Sequence, residues 1–410
     1  MPMKKNMLIA NRNFWLLAVG QGLSRVGDGL YWATLAWTAW TLTRSLQTVA
    51  IITLATNLPA FVGLIIGGSF ADRYDRRRLM IGCDLLRVPL VALLPLLLHF
   101  GWLNVAVLTV VAALLGIMGA PFIPARNALV AQVVPVENLV AANGLLQVSF
   151  SAAYFVGPLL LTPLVTFFSF SNVFLVDALT FVSSVITLVL IRVSPIPSPD
   201  SHPGLWADLL AGWQALKQSP EVSITITTFV LAILIATGFL TVGVVALVDT
   251  QLRGGAGQYG LLLGIGGLAE VVGALILTRL PLHNLAIAAV LAWMALGVFR
   301  VFLGFATALP VAVVLLALIG MFSALTDIAL TALVQSRIAQ CHLAKVMGLW
   351  EAGVMGALAV SPPLASFTFA RIGLQGGFIL SGTMLIALSS VSTMLIVRIQ
   401  TKHRPKRAVP

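Results

Sequence analysis

The chain of 410 residues is 59% hydrophobic and only 9% charged, with a net charge of +11. Soluble domains are roughly a quarter charged, so this composition excludes a water-soluble fold and indicates a polytopic membrane protein. The basic residues are spread between apolar segments, which argues against a nucleic-acid partner. Two cysteines, Cys83 and Cys341, are too few for a disulfide framework or a metal site. We therefore predict neither a metal nor a cofactor.

Apolar segments long enough to cross a bilayer recur along the whole chain. A helical span needs about 20 apolar residues, and helices satisfy every backbone group in lipid. The pattern predicts an all-α membrane protein with twelve transmembrane helices. The predicted spans are 13–41, 49–71, 79–99, 104–131, 139–166, 171–193, 222–249, 257–279, 284–306, 310–336, 344–369 and 374–398.

The distribution of basic residues predicts the orientation of these spans. Most of the 24 Lys and Arg residues lie in the loops on the same side as the N-terminus. Positively charged loops stay in the cytoplasm, so both termini are predicted to be cytoplasmic. The residues from Asn13 onward form a first span and not a cleaved signal peptide. The basic tail, 399–410, is predicted to bind lipids of the inner leaflet.

A polar, proline-rich linker, 194–221, separates the spans into two sets of six. Within it, apolar residues recur at helical spacing over 205–217, which predicts an amphipathic helix on the inner membrane surface. A flexible linker is the alternative. The linker divides the chain into an N-terminal six-helix bundle, 1–193, and a C-terminal six-helix bundle, 222–398.

The two halves repeat each other at an offset of 204 residues. At this offset Ala125–Val130 aligns with Ala329–Val334, and Pro158 aligns with Pro362. The repeat predicts two pseudo-symmetric bundles of common origin. Such proteins hold their substrate near the midplane between the bundles and transport it by alternating access.

A short charged stretch joins the second and third spans. Six charges in seven residues, 72–78, cannot lie in hydrocarbon, so they form a tight loop at a membrane face. One interpretation is a charge cluster that only fixes the topology. The spacing of glycine, aspartate and arginine also resembles the loop signature of the major facilitator superfamily, although Asp75 stands where that family usually has glycine. The resemblance implies a cytoplasmic latch, to which we assign Gly68, Asp72, Arg73, Arg76, Arg77, Asp84, Arg87 and Arg126.

Ionisable residues inside the predicted spans are candidates for function, because a charge in mid-membrane is costly. Arg25 and Asp28 lie three residues apart in the first span, hence on one helix face. Asp28 would bind a proton or a cationic substrate while Arg25 tunes its charge, unless the two form a fixed structural ion pair. Asp84 and Arg87 have the same spacing and are predicted to be a structural pair that supports the latch.

Two further charged residues are predicted to lie towards the outer surface. Asp177 comes early in its span, where it would cap a helix. Arg300 lies in the outer third of its span, where its side chain would reach the interface.

The second half has three mid-span carboxylates, on Glu270, Asp327 and Glu351. Glu351 aligns with Gln147, so equivalent helices present an acid in one half and an amide in the other. This arrangement fits a central cavity with one titratable wall, or an incidental polar pair. Carboxylates in such a cavity would couple transport to protons. The predicted cavity-lining residues are Gln21, Tyr31, Trp32, Gln147 and Trp350, while Trp37 and Trp40 fit either the cavity or an interfacial belt.

Several stretches of the first half are similar to the siderophore and macrolide exporter branch of the superfamily. They are Gly27–Gly29, Ala71–Arg77, Pro124–Leu129 and Ala141–Gly144. The resemblance implies a twelve-helix exporter driven by proton antiport in a prokaryotic cytoplasmic membrane, and it does not identify the substrate. We predict a monomer that exports an amphipathic small molecule, such as a drug, macrolide or siderophore. Gly157-Pro158 resembles the core of an antiporter motif but lacks its later glycines, so a simple kink is an equal interpretation.

Other functional classes are less well supported. The sequence has no H-E-x-x-H motif and no G-x-x-x-x-G-K-[ST] motif, and its five histidines fall in loops or at span ends. We therefore predict that the protein is not an enzyme and does not use ATP. A lysophospholipid or lipid flippase, or a proton-coupled importer with the same fold, is the alternative.

Overall fold

The computed structural model describes residues 11–73, 75–135, 138–193, 205–277 and 284–402. In these ranges the chain is helical and contains no strand. The α-helices, numbered in chain order, are α1 (Arg12–Thr43), α2 (Leu46–Arg73), α3 (Arg76–His99), α4 (Val105–Gly119), α5 (Phe122–Val133), α6 (Leu139–Phe167), α7 (Val173–Leu190), α8 (Leu205–Lys217), α9 (Pro220–Ala246), α10 (Ala256–Leu277), α11 (Leu285–Leu303), α12 (Leu309–Arg337) and α13 (Gln340–Lys402). A 3₁₀ turn, Phe170–Asn172, precedes α7, and a π-helix, Leu247–Gln251, follows α9.

Each predicted apolar segment coincides with helical chain. The segment 104–131 is two helices, α4 and α5, because Pro121 interrupts it. The last two segments lie in α13, which is kinked at Gly373, where φ is +74°. That value favours glycine, which lacks a β-carbon. We name the two parts α13a (340–372) and α13b (374–402).

Seven helical segments in the described ranges are long and apolar enough to cross a membrane. α1 is long enough but less apolar, because glycines, Arg25 and Asp28 occupy its middle. Large apolar side chains are exposed along the helices, among them Phe167, at 79%, and Leu179, at 66%. Exposure of this kind is typical of a surface that faces lipid.

Side-chain caps fix the N-termini of several helices. The side chain of Asn11 accepts a hydrogen bond from the backbone N–H of Phe14 at the start of α1, at 3.0 Å. Asn104 and Asn284 cap α4 and α11 in the same way. Each cap satisfies a backbone donor that the helix itself leaves free.

Asp75 caps α3, since its carboxylate accepts a hydrogen bond from the N–H of Arg78 at 2.8 Å. This explains the aspartate at a position where the resembling family has glycine. We expect Asp75→Ala to lower the free energy of unfolding by about 1 kcal/mol, and Asp75→Gly by only a few tenths. Denaturant unfolding in detergent measures both, and an equal loss for the two variants would contradict the capping role.

The internal contacts of the chain define two units. Unit 1 consists of Met1–His202 with Val244–Leu268, and unit 2 of Pro203–Gly243 with Ala269–Pro410. The bundles predicted from the sequence stay a prediction, and unit 1 takes in one segment, 244–268, from the second half of the chain.

Within each unit, a glycine packs closely against a proline-containing helix. In unit 1, a β-carbon added at Gly29 would lie 3.0 Å from the Ala153 carbonyl oxygen and 3.4 Å from Pro158. In unit 2, a β-carbon added at Gly238 would overlap the backbone between Ser361 and Pro362. Pro158 and Pro362 are the residues that the repeat aligns, so equivalent helices of the two units make the same kind of close contact.

A stripe of glycines on α10 allows a second close approach inside unit 1. Added β-carbons at Gly260 and Gly267 would lie 2.5 Å from the Pro158 carbonyl oxygen and from the Phe155 β-carbon, both on α6. The Thr162 hydroxyl of α6 also donates to a carbonyl oxygen of α10, at 2.7 Å. Small residues at such a contact let two helix backbones pack tightly in a membrane.

The helix α8 lies within the linker, where apolar spacing predicts it. Gly212 packs against the backbone of Lys345 at the start of α13a, and Leu216 is buried. The opposite face exposes Leu210 and Trp213. Contact of that face with the membrane surface stays a prediction.

Candidate functional site

The first helix carries an ion pair near its middle. Arg25 Nη1 lies 3.3 Å from Asp28 Oδ2, as the spacing of the two residues predicts. Their side chains are 25% and 28% exposed. This partial exposure leaves Asp28 within reach of water while most of α1 is buried.

A second ion pair is fully enclosed by helices. Asp84 Oδ1 lies 3.3 Å from Arg87 Nη1 on α3, and the Ser184 hydroxyl of α7 donates to Asp84 Oδ2 at 2.7 Å. Gln21 of α1 donates to the Ser184 hydroxyl at 3.1 Å. These hydrogen bonds join α1, α3 and α7, and each of the four polar side chains has a hydrogen-bond partner in the network.

The guanidinium of Arg87 also lies over two aromatic rings. It is 5.1 Å from the ring centre of Phe122 and 5.3 Å from that of Phe181. Aromatic faces attract a cation, so this environment stabilises a charge that burial would otherwise penalise. The pair is therefore built into the core of unit 1, and its role in a latch stays a prediction.

Asp177 differs from the prediction of an outer helix cap. Its side chain is buried and faces Gly27, where an added β-carbon would lie 2.5 Å from Asp177 Oδ1. The helix cap residue is instead Asn172, which makes no side-chain cap bond. Asp177 therefore faces the inside of unit 1 together with Arg25, Asp28, Asp84 and Arg87, a group that we name the acid–arginine cluster.

The sequence contains one signal that points to this placement. Asp177, Thr180 and Ser184 recur at spacings of three and four on α7, which puts three polar side chains on one helix face. In a helix that is otherwise apolar, a polar face turns away from lipid. Because Asp177 comes near the start of its span, its position in the sequence predicts a helix cap and not a part of this polar face.

The loop residues have structural contacts where the structure describes them. Arg77 donates from Nε to the Leu188 carbonyl oxygen and from Nη2 to that of Val189, each at 2.6 Å. These bonds satisfy the last carbonyl groups of α7. Arg126 donates to its neighbour Asn127 and also interacts electrostatically with Arg25. The side chains of Asp72 and Arg73 and the surroundings of Gly68 lie outside what the structure describes. The latch therefore stays a prediction.

Unit 2 brings the other three predicted acids together. Glu270 on α10, Asp327 on α12 and Glu351 on α13a are all exposed. Asp327 interacts electrostatically with both Glu270 and Glu351. In the described ranges, no ion pair involves any of the three. Three helices therefore direct unpaired acids towards a common region.

Some of the predicted cavity-lining residues are buried and one is partly exposed. Gln21, Tyr31 and Trp350 are buried within their units, whereas Trp32 is partly exposed. The side chain of Gln147 lies outside the described residues. Whether these residues line a cavity stays a prediction.

Burial decides against one of the two interpretations of Trp37 and Trp40 and against the expectation for Arg300. Trp40 is buried, as is Trp37, whose ring lies 5.7 Å from that of Tyr259, so neither belongs to an interfacial belt. Arg300 is buried as well, at 3% exposure, and does not reach the interface. In each case, packing against neighbouring helices decides the burial, and the position along the span does not reveal it.

A metal site has no support in the described part of the chain. There, no group of three or more His, Cys, Asp or Glu side chains is arranged to hold a metal ion. Cys83 is a buried free thiol. The polar chemistry of both units is thus that of carboxylates, guanidinium groups, hydroxyls and amides.

The fold and sequence are similar to those of known transporters. A solved structure of a POT family transporter in complex with a thioalcohol-conjugated peptide superposes with a TM-score of 0.75, covering 96% of this chain and 97% of the other at 13% identity. Macrolide efflux protein A of Streptococcus pyogenes is 24% identical over 93% of this chain and 95% of its own length. Enterobactin exporter EntS of Citrobacter koseri is 27% identical over 85% of this chain and 84% of its own length.

The family model of the Major Facilitator Superfamily matches residues 17–342. A match over most of the chain, together with the apolar helices and the transporter relatives, identifies the kind of protein. The chain is a member of the Major Facilitator Superfamily, a multi-pass transport protein of the cytoplasmic membrane and not an enzyme.

Proposed function

We propose that the protein exports an amphipathic small molecule, such as a drug, a macrolide or a siderophore, in exchange for protons. In this proposal twelve helices cross the membrane, both termini are cytoplasmic, and a monomer works by alternating access. Efflux relatives named for a macrolide and for enterobactin support the direction and the substrate class.

The unpaired acids of unit 2 are the observation that carries proton coupling. Glu270, Asp327 and Glu351 lie within apolar helices and are exposed. Carboxylates of membrane helices almost always face a water-filled cavity or the bundle interior, because hydrocarbon does not solvate them. Glu270 and Glu351 each repel Asp327 when ionised, and binding a proton at Asp327 relieves that repulsion.

The partly exposed Asp28 supplies an equivalent group in unit 1. Its ion pair with Arg25 gives it two alternatives, a salt bridge or a bound proton. An exporter that exchanges protons for substrate needs an acid that can lose its proton when substrate binds, because proton and substrate must not be bound at the same time. Arg25 would then be the counter-charge that stabilises Asp28 after the proton leaves.

Purified protein in proteoliposomes tests this function directly. A pH-sensitive dye inside the vesicles should report proton movement when erythromycin or a catecholate siderophore is added in the presence of a proton gradient. Empty vesicles provide the background. Accumulation of the compound without proton movement would exclude antiport, and movement of a labelled lysophospholipid instead of these compounds would favour the flippase.

Neutral variants of the acids separate coupling from binding. We expect Glu351→Gln and Asp28→Asn to lose most substrate-dependent proton flux, because neither side chain can then release a proton, while substrate counterflow continues. Glu221→Gln is the matched control, because Glu221 pairs with Arg337 at 3.5 Å, apart from the acids. Normal proton flux in both variants would show that neither residue carries the coupling proton.

A further inference from the structure

Asp177 is the carboxyl group of the acid–arginine cluster that has no ion pair in the described ranges and no role in the proposed cycle. It is only 1% exposed. Its Oδ1 atom lies 3.4 Å from the Thr180 hydroxyl, while its buried Oδ2 atom has no hydrogen-bond partner among the described residues. In the described ranges, no ion pair reaches Asp177. An ionised carboxylate at this position would lack hydration and, in the described ranges, would have only the long hydrogen bond from Thr180.

The surroundings of Asp177 on α1 include a second unsatisfied group. Tyr31 is buried, and its hydroxyl has no hydrogen-bond partner in the part of the chain that the structure describes. It interacts electrostatically with both Asp177 and Asp28. Its ring packs edge-on against Phe174, one helical turn before Asp177, with 6.2 Å between ring centres. An acid and a phenol on two packed helices, α1 and α7, are therefore both buried and interact with each other electrostatically.

The charges on the neighbouring helices leave Asp177 without a counter-ion. Asp84 and Arg87 on α3, and Asp28 on α1, also interact electrostatically with Asp177. Arg87 is already paired with Asp84, and Arg25 with Asp28. The acid–arginine cluster thus contains three carboxyl groups and two guanidinium groups, and Asp177 is the carboxyl group left over.

We infer that Asp177 holds a proton in the conformation described and releases it during transport, as a proton site of unit 1 additional to Asp28. This inference rests on the proposed proton antiport. In the release step the O–H bond of the Asp177 carboxyl group breaks, and the proton passes to water admitted between α1 and α7. Asp28, which is partly exposed, is the first acceptor on the way out. A proton from the opposite side of the membrane later restores the neutral acid.

Asp177→Asn tests the inference, because asparagine has the shape of the neutral acid and holds no exchangeable acid proton. In proteoliposomes we expect this variant to lose erythromycin-dependent proton flux and to retain erythromycin counterflow. Asp249→Asn is the matched control, since Asp249 pairs with Arg44 outside the cluster, and we expect it to behave as the wild type.

Infrared difference spectroscopy provides a readout that does not depend on transport. The wild type should show a C=O stretching band of a protonated carboxyl group that Asp177→Asn lacks, while bands of other protonated acids stay. Should the asparagine variant misfold, Asp177→Leu allows the same two measurements.

The outcomes distinguish the inference from the proposed function. Proton flux that persists in Asp177→Asn, while the wild type also shows it, overturns the inference and leaves antiport intact. Carboxyl bands that lose no intensity on the substitution overturn the protonated state of Asp177. Erythromycin transport by the wild type without any proton flux overturns antiport itself.

Discussion

Gly238→Ala is expected to destabilise unit 2 more than any other single-methyl change that we describe. The added β-carbon would overlap the carbonyl group of Ser361. That group is backbone, which cannot rotate away, so α9 and α13a would have to separate. The separation would break the hydrogen bond from the Gly238 N–H to the Ser361 hydroxyl, at 2.7 Å, and the bond from that hydroxyl to the Leu234 carbonyl oxygen, at 2.6 Å.

The energetic cost of this change has two parts. Overpacking a tight contact costs about 1–3 kcal/mol, and leaving buried polar groups unsatisfied costs about 1–3 kcal/mol more. A protein of marginal stability does not tolerate such a loss. We therefore expect a large drop in folded yield and in the free energy of unfolding in detergent.

Gly356→Ala on α13a is the matched control. An added β-carbon there meets no atom within 4 Å. Alanine in a helix is favoured over glycine by about 1 kcal/mol, so this variant should be as stable as the wild type or more stable. Equal unfolding free energies for the Gly238 and Gly356 variants would contradict the close contact.

Arg87→Met is expected to be the most harmful single change in unit 1. It removes the cation from a carboxylate that is wholly buried, and leaves Asp84 with the Ser184 hydroxyl as its remaining hydrogen-bond donor in the described ranges. Removing one partner of a buried ion pair typically costs about 3–5 kcal/mol. Unfolding measurements in detergent should show a loss of this size.

Removing the charge of Asp84 as well should restore much of that stability. In the double variant Asp84→Asn/Arg87→Met no charge remains buried, and asparagine still accepts the Ser184 hydrogen bond. The more exposed pair of Arg44 and Asp249, at 57% and 24% exposure, provides the contrast, because surface ion pairs contribute only about 0–1 kcal/mol. A double variant as unstable as Arg87→Met would mean that the methionine packs badly and that the charge is not the cause.

Much of the helical architecture could be predicted because it depends on local patterns. Apolar runs with polar breaks predict the helical segments to within a few residues, and the amphipathic spacing predicts α8. The break at Pro121 was missed because the residues on both sides are apolar, so hydropathy does not change there. The kink at Gly373 falls between two predicted spans, and its positive φ has no signature other than the glycine itself.

The candidate site was predictable where its contacts are local. Arg25 and Asp28 meet because a helix brings residues three apart together. Asp84 and Ser184 are 100 residues apart, and their hydrogen bond depends on how α3 and α7 pack. The direction of Asp177 depends on the same packing. Sequence patterns therefore show which charged residues are costly to bury in a membrane. They do not show which of these residues contact each other across different helices.

The glycine stripe of α10 has a consequence for dividing the chain experimentally. A fragment that stops in the linker would include α6 but not residues 244–268, so the surface of α6 around Phe155 and Pro158 would lose its covering helix. The N-terminal fragment alone should therefore be prone to aggregate. Co-expression of the second fragment should rescue it by complementation, as when two cut pieces of one protein reassociate.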